Sequence, residues 1–149
     1  MSLEIDVFLK PDQLPAAYLL PNRVRYDLGM PYKVEITWGK TRGRVPVLLG
    51  DQQTGFEMYT GAMTKLDMRD EEIPAPATKA GRTYRVNVVW RRPLEGAAAA
   101  YAFAAAVAKM KSGYILDGLG GTHPFGGAPA LASSRYWGTD VGRGIAIAP

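Results

Sequence analysis

The chain has 149 residues, of which 47% are hydrophobic and 21% charged, a balance that argues against wholesale disorder and fits one domain spanning residues 1–149. It has no cysteine, which excludes disulfides, thiol nucleophiles and thiolate metal sites, and its single histidine, His123, excludes any two-histidine motif. The net charge is +4, from 18 basic and 14 acidic residues, but the positives are scattered rather than gathered into a stripe, which argues against a nucleic-acid partner.

Residues 3–9 alternate, with Leu3, Ile5, Val7 and Leu9 on one face and Glu4 and Asp6 on the other, and predict a half-buried strand in which Phe8 interrupts the polar face. Residues 13–20 predict a short helix that Pro21 stops. Residues 21–32 then read as a loop anchored by Tyr26 and Met30. Residues 33–38 predict a second strand with Val34, Ile36 and Trp38 inward. Residues 44–49 predict a third strand, with Pro46 pointing to an edge or a bulge, and residues 56–63 a fourth after a turn over 50–55. Residues 84–90 are a fifth strand with Tyr84, Val86, Val88 and Trp90 on one face.

Residues 94–111 predict the one long helix, alanine-rich, apolar on most sides and therefore covered on more than one face, with Glu95 in its first turn and Lys109 and Lys111 in its last. Residues 114–116 form a short sixth strand, 117–130 a glycine-rich loop, and 143–149 an apolar tail suited to a last edge strand. The expected fold is α+β with two layers: a mainly antiparallel sheet of five to seven strands packed on the long helix. The longest uncharged helical run, residues 96–108, falls short of the ~20 residues a membrane span needs. The N-terminus lacks a basic leader followed by a hydrophobic stretch, so the expected setting is the bacterial cytoplasm.

Few motifs carry chemistry. Gly39-Lys40-Thr41 lacks the upstream glycine of a phosphate loop, since Val34 stands there. Gly118-Leu119-Gly120-Gly121-Thr122-His123 fails the dinucleotide pattern at His123. Asp67, Asp70, Glu71 and Glu72 lack the spacing of a calcium loop and read as a solvated face, so no metal and no cofactor is expected. Asp117 and His123 flank the glycine-rich loop, with Ser133 and Ser134 beyond; they are the candidates for a catalytic or small-molecule site, although no nucleophile-elbow pattern surrounds either serine. Arg135, Tyr136 and Trp137 combine the residue types enriched in contact hot spots and are the candidates for binding a protein.

The run from Ala97 to Asp117, an alanine-rich helix leading into Gly113-Tyr114-Ile115-Leu116-Asp117, resembles an arrangement that recurs in small uncharacterised bacterial α+β proteins, some of them immunity proteins of toxin systems. The resemblance covers about a fifth of the chain and carries no catalytic residue. It implies a non-enzymatic module that occludes a partner's site. The basic charge departs from the acidic character of immunity proteins that neutralise basic nucleases, which counts against a nuclease partner. The alternative expectation is a small-molecule-binding or enzymatic domain with its site in the loop 117–130. A third is a subunit that self-associates through the apolar tail as an edge strand. A binding module requires an exposed apolar-aromatic patch with a charged rim, and an enzyme a concave site where polar groups converge.

Overall fold

A computed structural model describes residues 2–64, 81–91, 96–116 and 122–124. The chain forms β1 (Ser2–Leu9), a 3-10 turn (Ala17–Leu19), α1 (Leu20–Leu28), β2 (Tyr32–Val34), β3 (Gly43–Leu49), β4 (Gln52–Ala62), β5 (Tyr84–Arg91), α2 (Ala97–Met110), β6 (Tyr114–Leu116) and β7 (Thr122–Pro124). The strands make one sheet in the order β2-β3-β4-β5-β1-β6-β7, antiparallel at every pairing. This is the expected α+β class with an antiparallel sheet, and among the described residues a short helix, α1, stands later in the chain than the expected 13–20, beside the long α2.

The alternation of β1 has the consequence expected of a two-residue period. Ile5, Val7 and Leu9 are buried in the main core with Val86, Val88 and Trp90 of β5 and Phe56 and Met58 of β4. β1 lies inside the sheet, paired along its whole length with β5 (Ile5 opposite Val88, Val7 opposite Val86) and over Asp6 to Phe8 with β6. The helix α2 connects β5 to β6 and covers β1 on the way. Its Ala99, Ala100, Ala104, Ala105, Ala106 and Ala108 are all buried, as are Phe103 and Val107, so it is covered on more than one side as its composition implies. Alanine suits this place because it has the best helix propensity and allows close approach. At the N-terminal end the approach is closest. A Cβ on Gly96 would run into the carbonyl oxygen of Gly55 in β4 and would lie 3.3 Å from the Trp90 Cβ, so only glycine fits there.

The 3-10 turn and α1 correct the sequence reading. Pro21 begins the helix rather than ending it, sitting in the first turn, where its missing N–H needs no partner. α1 then buries Leu20 and Val24, one turn apart, and ends where the Gly29 N–H bonds the Arg25 carbonyl at 2.9 Å. Tyr26 and Met30 do not anchor a loop: they are 83% and 44% exposed. The second strand is also shorter than expected. β2 stops at Val34, and Thr37 to Thr41 closes a turn through the Thr41 N–H to the Thr37 carbonyl (2.9 Å) and the Thr37 N–H to Thr41 Oγ1 (2.7 Å). Trp38 is half-buried and donates its indole N–H to the Pro15 carbonyl at 2.6 Å.

Between β3 and β4 the turn is two residues, Gly50-Asp51, with Leu49 paired to Gln52. Gly50 has φ +63°, the left-handed conformation a tight hairpin needs. The expected longer turn over 50–55 is therefore strand from Gln52 onward. β3 is an inner strand, yet β2 pairs only with Val47 to Leu49, so Pro46 lies just beyond that ladder and needs no N–H there. The helix 94–111 is observed as Ala97–Met110. β7 falls inside the expected loop 117–130. Residues 94–95, 117–121 and 125–149 lie outside the described residues, and with them the expected edge strand at 143–149.

One hydrogen bond ties β2 to α2. The Tyr32 hydroxyl donates to the Ala99 carbonyl at 2.9 Å from a site that is 1% exposed. Burial raises the Tyr32 phenol far above its ordinary value of about 10. Folded protein therefore holds that proton where unfolded chain releases it, and stability falls as pH rises above about 10. Tyr32→Phe is expected to cost about 1 kcal/mol at neutral pH. It should also flatten the alkaline loss, which urea titrations at neutral pH and above pH 10 would measure.

Candidate functional site

Among the described residues, the exposed large hydrophobic side chains are concentrated in one stretch. All of these except Tyr59 lie between positions 18 and 30: Tyr18, Leu19, Tyr26, Leu28 and Met30. The helical period explains how they come together. Leu20 and Val24 face the core, so the opposite side of the turn and helix presents Leu19 and Tyr26, seven residues apart, with Tyr18 beside them. At 100° per residue, Arg23 and Arg25 fall on either side of Tyr26. The Arg23 guanidinium carbon stands 5.9 Å from the Tyr26 ring centroid, within cation–π range.

This face is rigidly carried. Asp27 takes Arg23 Nε at 3.3 Å and Lys109 Nζ of α2 at 3.8 Å, which ties α1 to the long helix, and Leu20 and Val24 are fully buried beneath. The Trp38–Pro15 bond holds the segment that leads into the 3-10 turn. An apolar-aromatic face rimmed by charge is what a docking surface requires. The sequence alone hides this face because Pro21, directly after the expected helix 13–20, reads as a stop. The signal that would have found it is Leu20 and Val24 at i and i+4 behind a proline in the first turn.

The sheet face away from the helices holds a second polar group. Arg85 grips Asp6 with two bonds, Nε to Oδ1 at 2.9 Å and an Nη to Oδ2 at 3.0 Å, and Asn87 Nδ2 donates to Asp6 Oδ1 at 2.8 Å and to Glu4 Oε2 at 3.1 Å. Register explains the meeting: Asp6 is opposite Asn87, and Arg85 is opposite the next same-face residue, Phe8. Asp6 is thus buried rather than solvated as the alternation alone implies, because a bidentate guanidinium replaces its water. Phe8 itself packs with Met63, Tyr114 and Leu116 in a small second core on this face. Arg82 lies 4.9 Å over the Tyr114 ring and donates to the Ser112 carbonyl at 2.8 Å. These bonds join Asp6 and Glu4 of β1 to Arg85 and Asn87 of β5, so the group reads as a strand clamp.

Of the candidate site residues singled out from sequence, His123 alone is among the described residues. Asp117, Arg135, Tyr136 and Trp137 lie outside the described residues, as do Ser133 and Ser134 and the acidic run 67–72. His123 is in β7, where the register pairs it with Ile115 of β6. No described helix is long and apolar enough to cross a membrane. Compared with known proteins, the chain matches no family model, no curated protein and no solved structure.

Proposed function

We propose that this protein is a non-enzymatic binding module, similar in action to an immunity protein, that occludes a site on a protein partner through the outward face of the 3-10 turn and α1. The observation that carries the reading is the exposure of Tyr18 (79%) in the 3-10 turn and of Tyr26 (83%) on the helix α1 that continues it, which is backed by buried Leu20 and Val24. A tyrosine brings a large contact area and a polar tip at low entropy cost, and Tyr and Arg are the residue types enriched in binding hot spots. A helix seated on the core by Leu20, Val24 and the Asp27–Lys109 pair presents such anchors already ordered, which lowers the cost of docking.

The experiment is affinity capture from the native host followed by titration of the captured partner. A single stoichiometric protein is expected. Tyr18→Ser and Tyr26→Ser are each expected to weaken it by roughly 30-fold, the equivalent of a 2 kcal/mol hot spot. Because both side chains are exposed, stability should change by no more than about 0.5 kcal/mol. Full retention by the double variant overturns the assignment to this face. Loss instead with Arg135→Ala and Trp137→Ala moves the docking surface to that segment.

A further inference from the structure

Resting on that docking reading, we infer that the surface which covers α1 is a protein segment with an apolar ridge bordered by carboxylates. The charge around the face sets this. The one carboxylate of α1, Asp27, is already answered by Arg23 and by Lys109. Arg25 is exposed and makes no ion pair among the described residues. Two guanidinium groups therefore flank Tyr26 with at most one carboxylate between them, on a chain whose net charge is +4. An acidic rim on the partner meets them as planar forks suited to bidentate carboxylate contact. It also steers the encounter.

A second copy of this chain fits poorly, since it brings the same cations to the contact and like charges oppose it. A nucleic acid offers its phosphates to Arg23 and Arg25 but leaves Leu19, beside Tyr26, with nothing to bury against. An anionic lipid surface answers the arginines, yet the helix spans only nine residues and turns Leu20 and Val24 inward, which leaves a narrow apolar strip to insert.

The test is an amide chemical-shift titration of the full-length chain with three probes. Two are synthetic helical peptides with the same Leu/Phe stripe, one with a glutamate polar face and one with a lysine polar face. The third is a vesicle of phosphatidylcholine and phosphatidylserine. The glutamate peptide is expected to move the amides of residues 18–30 and to bind at least about tenfold more tightly than the lysine peptide. That preference should shrink at high salt and be lost in the Arg23→Gln/Arg25→Gln variant. Equal binding of both peptides at residues 18–30 overturns the acidic partner while leaving the docking face standing. No shift at 18–30 with either peptide overturns both. Shifts there with the vesicle and not with the glutamate peptide replace the protein segment by a lipid surface.

Discussion

Phe103→Ala is expected to cost about 4–5 kcal/mol, the upper part of the range for a buried phenylalanine. Phe103 is fully buried, and its ring centroid is 5.0 Å from that of Phe56 across the helix–sheet layer. The size of the loss follows from its neighbours. One turn before it on α2 stand Ala99 and Ala100, and one turn after it Ala106 and Val107. None of these is long enough to swing into the space the ring leaves, so the cavity stays open, and an open cavity adds to the lost transfer energy. A domain's total stability is only about 5–15 kcal/mol, so this one change removes a large share of it. Urea unfolding should show a large drop in midpoint with an unchanged slope. Phe103→Leu, which refills most of the volume, is expected to cost about 1–2 kcal/mol. A loss below about 2 kcal/mol for the alanine variant would mean that α2 is not seated on β4 as described.

The same alanine-rich helix marks how far the sequence could be read. Its existence, its burial on more than one side and the strands 84–90 and 114–116 were legible because each rests on local periodicity or composition. The paired partners of β1 were not, because nothing local states that residues 2–9 slot between β5 and β6. Nor was the end of β2 at Val34. Ile36 and Trp38 continue the alternation, but the Thr37–Thr41 turn and the bond from Trp38 to Pro15 draw the chain out of the sheet. Pro21 shows the sharpest failure. A proline stops a helix from within yet opens one in its first turn, and only the buried pair Leu20 and Val24 decides which. The candidate docking face is hidden by the same ambiguity, since exposed Tyr18 and Tyr26 acquire meaning together only when the 3-10 turn runs on into α1.

The clamp on the opposite sheet face yields the second large effect, and an asymmetric one. Arg85→Met is expected to cost about 2–3 kcal/mol and Asp6→Asn only about 1 kcal/mol, although both break the same ion pair. The Asp6 side chain is 9% exposed, so without the guanidinium its carboxylate stays buried with Asn87 as its remaining donor. The Arg85 side chain is 33% exposed, so without the carboxylate it reaches water, and that exposure also holds both figures below those of a fully buried pair. The double variant Asp6→Asn/Arg85→Met should recover part of the Arg85→Met loss, because no charge is then stranded. Equilibrium unfolding of the three variants measures this, and equal losses for the two single variants would show that Asp6 gains its solvation elsewhere. The clamp also separates the roles of the two faces. If β1 is held to β5 by Asp6 and Arg85 while binding resides on α1, Asp6→Asn should weaken the fold and leave partner affinity unchanged. Tyr26→Ser should do the reverse. A protein in which both variants weakened the partner equally would be using the sheet face to bind, and its polar network would then be part of the interface rather than a fastening for the strand beneath it.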